Sequence, residues 1–173
     1  LKASIELKIE AQMTMMDLVG SRQEMMRKAE GAQSKRQFET ALSTYERAIF
    51  TFGQVSSEFE EQKSAADEGA ERAKQSINRL INSVFDEGRA FLNQGDDLYD
   101  QKKFAEAMAE YKKVDPHVEF LGEVDLGPLQ RQELDDLLSQ ADESFVKAEN
   151  EKRRADAAAR TPGAQPGSAP VAG

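Results

Sequence analysis

The chain has 173 residues and a net charge of −9, and it contains neither cysteine nor tryptophan. This length is sufficient for one domain with a substantial core. The negative charge argues against nucleic acid as a partner, because phosphate binding requires lysine and arginine concentrated on one face. The lack of cysteine excludes disulfides, thiolate metal sites and cysteine nucleophiles.

The first two thirds of the sequence predict helices and no sheet. No proline precedes Pro116. Apolar residues at 38–59 and again at 66–91 recur mostly every three or four positions, with a gap of seven in each run, which is the period of a helix with one buried face. The best candidate for a strand, residues 4–10, has no partner strand. No apolar run is long enough to predict a membrane-spanning helix. We therefore predict an all-α fold.

Three weak signals divide this helical region. The polar and glycine-containing residues 31–37, Gly53 with the serines of 56–60, and the polar run 100–103 each favour a turn between two helices. Ser57 and Glu60 have the spacing of a capping box, which predicts that a helix begins there.

The first strong helix stop lies at residues 114–128, which contain two prolines and two glycines. Pro128 suits the first turn of a following helix, which we expect to run to about residue 158. Residues 159–173 are rich in proline, alanine and glycine, so they are predicted to form a flexible tail. Residues 1–158 are accordingly predicted to form a single helical domain.

One pattern of aromatic and small residues occurs twice, 66 residues apart. The earlier copy consists of Phe38, Ala41, Tyr45 and Ala48, and the later copy consists of Phe104, Ala107, Tyr111 and Val114. Small residues let two helices approach closely, while the aromatic rings fill the space beside them. The recurrence of this aromatic ladder predicts that one helical hairpin packing occurs twice.

The later copy resembles a tetratricopeptide repeat (TPR) over a full hairpin. Phe91, Gly95 and Leu98 match the first helix of that family's pattern, and the later aromatic ladder matches its second helix. The earlier copy fits less well, because Met25 and Ala29 replace the aromatic residue and the glycine. The resemblance implies antiparallel helical hairpins, arranged as a TPR-like α-solenoid or an elongated helical bundle. A plain antiparallel coiled-coil bundle remains the alternative.

The resemblance also implies which residues face a partner. In the TPR family, ligands lie against the first helix of a hairpin, at fixed positions around the glycine. Those positions are held by Leu92, Asp96, Tyr99 and Asp100 in the later copy and by Met26, Glu30, Gln33 and Ser34 in the earlier copy. The lysine and asparagine of the family's carboxylate clamp are absent. The later groove is therefore expected to prefer a basic segment or one with apolar anchors.

No set of residues predicts catalysis. His117 is the single histidine, and its alternation with Asp115 and Glu119 would place three metal ligands on one side of an extended segment. Because no second histidine or cysteine accompanies it, a solvated turn is the favoured interpretation. The acidic stretch 58–71 lacks the spacing of a calcium loop. We expect no enzyme activity, no metal and no cofactor.

Five methionines cluster on the first predicted helix: Met13, Met15, Met16, Met25 and Met26. Methionine is adaptable, so a binding surface is one interpretation. Their helical spacing favours the other interpretation, in which they fill a core against the face formed by residues 38–52.

Repeat hairpins without catalytic groups usually present a surface to a partner. The resemblance therefore implies a scaffold or adaptor that binds other proteins in a larger assembly, with no nucleic acid and no small-molecule substrate. The start at Leu1 and the Pro/Ala/Gly tail are similar to bacterial envelope-associated TPR proteins, which favours the periplasm or envelope over the cytoplasm. Two alternatives remain: a small acidic TPR-type chaperone that holds unfolded secretion clients, and a structural coiled-coil spacer.

Overall fold

A computed structural model describes residues 2–34 and 36–160, with side chains from residue 8 onward. The helices are α1 (Lys2–Ser34), α2 (Phe38–Phe52), α3 (Glu60–Asp100), α4 (Phe104–Tyr111), α5 (Val114–Val118) and α6 (Pro128–Arg160), and a 3₁₀ helix at Glu119–Glu123 lies between α5 and α6. The described part of the chain contains no strand. The prediction of an all-α fold built from helical hairpins is confirmed.

All three predicted breaks in the helical region are confirmed. They separate α1 from α2, α2 from α3, and α3 from α4. Helix α3 begins at Glu60, two residues after the first helical position that a capping box with Ser57 as N-cap predicts. The turn before it is closed by a neighbouring serine, since the Ser56 hydroxyl oxygen accepts the backbone N–H of Glu58 at 3.3 Å.

The helix stop predicted at residues 114–128 is wrong in part, because the chain forms α5 and the 3₁₀ helix there. Pro116 lies in the first turn of α5, where its missing N–H removes no helical hydrogen bond. Val114, Val118 and Leu121 are fully buried. Burial of these apolar side chains thus outweighs the poor helix propensity of the segment.

Helix α6 begins at Pro128, as predicted, because proline suits the first helical position. The helix extends to Arg160, two residues past the predicted end. The rest of the predicted tail, residues 161–173, lies outside the described residues.

The chain divides between Phe85 and Asp86 into two compact units. Unit 1 contains α1, α2 and the first part of α3, and unit 2 contains the remainder of α3 together with α4, α5 and α6. Each unit therefore contains one hairpin with a predicted aromatic ladder and at least one further helical segment.

The core of unit 1 lies where α1, the end of α2 and α3 meet. Its buried cluster consists of Val19, Ala48, Phe52, Val55 and Ala66. Gly69 permits this packing, because a Cβ atom at that position would collide with the Phe52 ring. The interpretation of the methionines as core residues is confirmed for Met15, Met25 and Met26, which pack against the cluster, and is wrong for Met13 and Met16, which are exposed.

The core of unit 2 lies between the end of α3, the short helices and α6. Helix α6 contributes a buried face of Leu134, Leu137, Ala141 and Ala148. Gly88 of α3 lies against this face, since a Cβ there would come within 2.8 Å of the Leu137 side chain. Gly95, two helical turns further along α3, lies in the same way against the Tyr111 ring. The two glycines thus let the partner side chains approach the α3 backbone.

Candidate functional site

The two hairpins turn in the same way. Arg36 and Lys102, 66 positions apart, have left-handed backbone conformations with φ of 58° and 60°. The residues that follow them, Gln37 and Lys103, have φ/ψ of −91°/65° and −89°/60°. Backbone hydrogen bonds of matching register close each turn. A left-handed residue of this kind ends a helix and redirects the chain, so the sequence repeat corresponds to a repeat in backbone geometry.

The aromatic ladder faces the inside of each hairpin. Ala41, Tyr45 and Ala48 are at most 1% exposed, and Ala107, Tyr111 and Val114 are at most 2% exposed. Phe38 and Phe104, which open the two ladders, are half-buried. The prediction that one packing arrangement recurs at the constant offset is therefore confirmed at the level of these side chains.

Each ladder tyrosine holds its hydroxyl against the first helix of its own hairpin. Tyr111 donates a hydrogen bond to Asp96 Oδ1 at 2.7 Å, and Tyr45 donates one to Gln33 Oε1 at 3.3 Å. Burial raises the pKa of Tyr111, and the hydrogen bond to Asp96 raises it further. Burial likewise raises the pKa of Tyr45. Two of the predicted partner-binding residues thus also stabilise the hairpins.

In unit 2 the predicted partner-binding residues have different environments. Leu92 and Asp96 line a groove of about 240 Å³ between α3 and α6. Tyr99 and Asp100 lie outside the groove lining. The Tyr99 ring packs edge-to-face on Phe104, and Asp100 is exposed. The structure brings two of the four predicted residues together, and it buries Leu92 to 7% exposure.

The groove of unit 2 carries both signs of charge. The described residues that line it include Arg89, Asp96 and Glu143, together with the polar side chains of Asn93 and Gln140. Two carboxylates against one guanidinium give this groove a slight negative bias. Such a bias favours a basic segment over a free carboxylate, and the preference itself stays a prediction.

In unit 1, two of the predicted residues line a larger groove. Met26 and Glu30 of α1 lie in a cleft of about 380 Å³, whose other walls are Phe52 of α2 and one face of α3. Gln33 lies outside the groove lining, where it accepts the Tyr45 hydrogen bond. The earlier ladder therefore has its own groove, even though it matches the TPR pattern less well.

Three arginines line the groove of unit 1, and the sequence did not predict them. Arg27 comes from α1, and Arg72 and Arg79 come from α3. Arg79 donates a hydrogen bond to the Ser76 hydroxyl at 3.0 Å, and Arg72 lies 3.5 Å from Glu68. The seven-residue interval between Arg72 and Arg79 places them on one helix face, which is a usable signal. Nothing in the sequence, however, indicated that this face lies beside α1.

A fourth arginine, Arg22 of α1, is buried next to the groove. Its side chain is 1% exposed, and none of its guanidinium nitrogens has a hydrogen-bond partner among the described residues. The guanidinium carbon lies 5.9 Å from the centre of the Phe52 ring, which also lines the groove. Burial lowers the pKa of Arg22. An unpaired buried cation is costly, so its position requires an explanation.

The interpretation of His117 as part of a solvated turn is wrong. His117 lies on α5 with its side chain only 17% exposed, and its Nε2 is 3.4 Å from Glu87 Oε2. Its ring packs edge-to-face on Phe91 with 5.4 Å between the centres. Neither His117 nor any other residue belongs to a group of three or more possible metal ligands within the described ranges.

Comparison of the chain with protein-family models, with curated proteins and with solved structures yields no match. None of the helices at residues 2–34 and 36–160 combines the length and apolar character needed to cross a lipid bilayer.

Proposed function

We propose that the chain is a non-enzymatic protein–protein interaction module that serves as a scaffold or adaptor in a larger assembly. The observation that carries this proposal is the recurrence of one hairpin, with the same turn and the same buried ladder, in both units. Repeated helical hairpins typically offer extended surfaces to partner proteins. The resemblance to TPR proteins supports the same function, and it alone supports a bacterial envelope location.

The grooves support this proposal by their composition. In each unit, the groove is bounded by α-helices and combines charged with apolar side chains, which include Met26 and Phe52 in unit 1 and Leu92 in unit 2. Such a combination suits a peptide segment, because apolar side chains supply affinity while charges select the sequence. Each groove is shaped by rigid helices, which lowers the entropic cost of binding.

A specific observation favours a chaperone as the second candidate. Ile9, Met13 and Met16 of α1 are 53%, 61% and 58% exposed. Their spacing of four and three residues places them on one side of the helix. Flexible exposed methionines adapt to varied apolar sequences, which is the property that a holder of unfolded clients needs.

Photo-crosslinking in the source cells tests the proposal. A crosslinking amino acid is placed at Arg27 or Asn93, one in each groove, and at Met13 or Met16 on the exposed side of α1. The exposed positions Glu46 and Asp156, on α2 and α6, serve as controls. We expect one discrete adduct, or a small set, from at least one groove position and none from the controls. Many heterogeneous adducts from positions 13 and 16 would favour the chaperone. Equal adducts from grooves and controls would contradict both functions.

A further inference from the structure

We infer that the groove of unit 1 docks an acidic segment of a partner protein, whose carboxylates pair with Arg27, Arg72 and Arg79. This inference rests on the proposed function and specifies the partner chemistry of one groove. The occupant is a segment with acidic side chains at regular intervals and an apolar side chain that contacts Met26.

The charge of the groove opposes the charge of the chain. The whole sequence has 23 basic and 32 acidic residues. Among the described residues that line the groove of unit 1, by contrast, three are arginines and one, Glu30, is acidic. Arginine presents a planar fork that binds carboxylates through two hydrogen bonds. A local concentration of guanidinium groups on an acidic protein therefore indicates an anionic ligand.

The spacing of the arginines fits a polypeptide. Arg72 and Arg79 are separated by two turns of α3, which corresponds to about 10.5 Å along the helix. An extended segment spans this distance in about three residues, and a helical segment spans it in about seven. Arg27 lies across the groove on α1. A partner segment running along α3 would thus meet positive charge on both sides.

Arg22 strengthens this positive charge from beneath. Because it is buried and has no hydrogen-bond partner in the described part of the chain, its charge is not neutralised locally. Phe52 contacts Arg22 and also lines the groove, so the charge acts on the groove through a low-dielectric layer. A carboxylate docked there offsets the cost of burying the cation. This explains why a destabilising residue occupies the core.

A peptide fits the site better than an anionic membrane or a free phosphate. The groove is a cleft with apolar side chains from Met26 and Phe52 in its walls, and a phosphate ion would not use these. The net charge of −9 would repel an anionic lipid surface. Charge complementarity combined with an apolar wall is the property that a peptide segment can satisfy fully.

The test uses the full chain and a fluorescein-labelled peptide with glutamates three residues apart and leucines between them. Fluorescence anisotropy measures its affinity beside that of peptides with glutamine or lysine in place of glutamate. We expect saturable binding of the glutamate peptide alone, weakening with added salt. The Arg72→Glu, Arg79→Glu double variant should bind it at least about tenfold more weakly. Arg47→Glu, which changes an exposed arginine outside the groove, should bind as the unaltered chain does.

The variant Arg22→Met separates a binding role from a structural one. Removal of a buried unpaired charge should raise the melting temperature, whereas loss of its field should weaken peptide binding several-fold. A lower melting temperature with unchanged affinity would overturn the role of Arg22. Circular dichroism verifies that each variant folds, and Arg27→Gln provides a milder second test of the groove.

Three results would overturn the inference. The first is equal affinity for the glutamate and glutamine peptides. The second is a loss of affinity in Arg47→Glu equal to that in the double variant. The third is displacement of the peptide by inorganic phosphate or by phosphatidylglycerol vesicles that bind more tightly than the peptide does. A failure of this inference can be distinguished from a failure of the proposed function. If crosslinking from a groove position captures a partner while the acidic peptide does not bind, the interaction module remains and only the assigned chemistry is wrong.

Discussion

The hairpin of unit 1 and the hairpin of unit 2 share the backbone geometry of their turns and differ on their surfaces. Both turn at a left-handed residue with φ close to 60° and bury the same ladder. The tyrosine hydroxyl, however, bonds to Gln33 in one and to Asp96 in the other. Three of the four charged residues that line the groove of unit 1 are arginines, whereas the groove of unit 2 has a slight excess of carboxylates. The same packing of the buried residues thus leaves the exposed residues of the two hairpins free to differ.

The two hairpins also differ at the residue that lies against the ladder. Gly95 of unit 2 is matched by Ala29 in unit 1, which is fully buried. A Cβ at position 95 would collide with the Tyr111 ring, whereas unit 1 accommodates a Cβ at the corresponding place. Substitutions at these positions show whether this difference and the difference in hydrogen bonding change the free energy of unfolding.

The largest effect is expected for Gly95→Ala, which should lower the free energy of unfolding by about 3 kcal/mol because the new methyl group has no space beside Tyr111. Gly31→Ala is the matched control, since a Cβ there meets nothing within 4 Å. That change should stabilise α1 by about 0.5–1 kcal/mol through its better helix propensity. Urea denaturation measures both, and a stabilising Gly95→Ala would show that the close contact does not exist.

Larger residues in the ladder should affect the two hairpins equally. Ala41→Leu and Ala107→Leu should each cost about 2 kcal/mol, because both alanines are fully buried at a helix contact. Ala157→Leu, on the exposed end of α6, should be close to neutral. Thermal melts compare the three variants. A loss confined to one hairpin would mean that the ladders do not pack alike.

Removal of the residue that accepts each tyrosine's hydrogen bond should destabilise the two hairpins by different amounts. Asp96→Ala should cost about 2 kcal/mol, because it removes a short hydrogen bond to an ionised carboxylate. Gln33→Ala removes a longer, neutral hydrogen bond and should cost about 0.5 kcal/mol. Chemical denaturation at neutral pH measures the difference, and equal costs would indicate that the two hydroxyls are held alike.

The smallest effect is a pH dependence at the alkaline limit. Burial raises the pKa of Tyr45 and of Tyr111 above the ordinary value of a tyrosine, about 10. The folded chain therefore retains these protons where the unfolded chain loses them, so the stabilisation is complete below about pH 10 and is lost as the pH rises towards the folded pKa values. The double variant Tyr45→Phe, Tyr111→Phe should lose less stability than the unaltered chain as the pH rises above about 10. Identical pH profiles would contradict burial of the two hydroxyls.

The parts of the fold that were predictable from the sequence are those determined by local patterns. The turns, the start of α6 at Pro128 and the buried ladder each depend on residues that are close together in the chain. The prediction of a solvated turn at His117 is wrong, because α5 is stabilised by burial of its valines and by contact between His117 and Phe91, which lies in a distant part of the sequence. The arginine groove was not predicted for the same reason, since it requires α3 to pack beside α1.

The candidate site was only partly predictable. The TPR resemblance predicted partner-binding residues on the first helix of each hairpin. Four of these residues line the grooves, namely Met26, Glu30, Leu92 and Asp96. The resemblance did not indicate which further helix completes each groove. In both units that helix supplies part of the charge, so the charge of each groove depends on tertiary packing.

The central claim is that the grooves of these hairpins bind partner proteins. Calorimetric titration of the crosslinked partner, once purified, tests it most directly against the unaltered chain and two variants, Arg72→Glu with Arg79→Glu in unit 1 and Asp96→Asn with Glu143→Lys in unit 2. The asparagine retains an acceptor for Tyr111. We expect at least one variant to bind the partner about tenfold more weakly, or weaker still, while both variants stay folded. Affinity equal to that of the unaltered chain in both folded variants would contradict it.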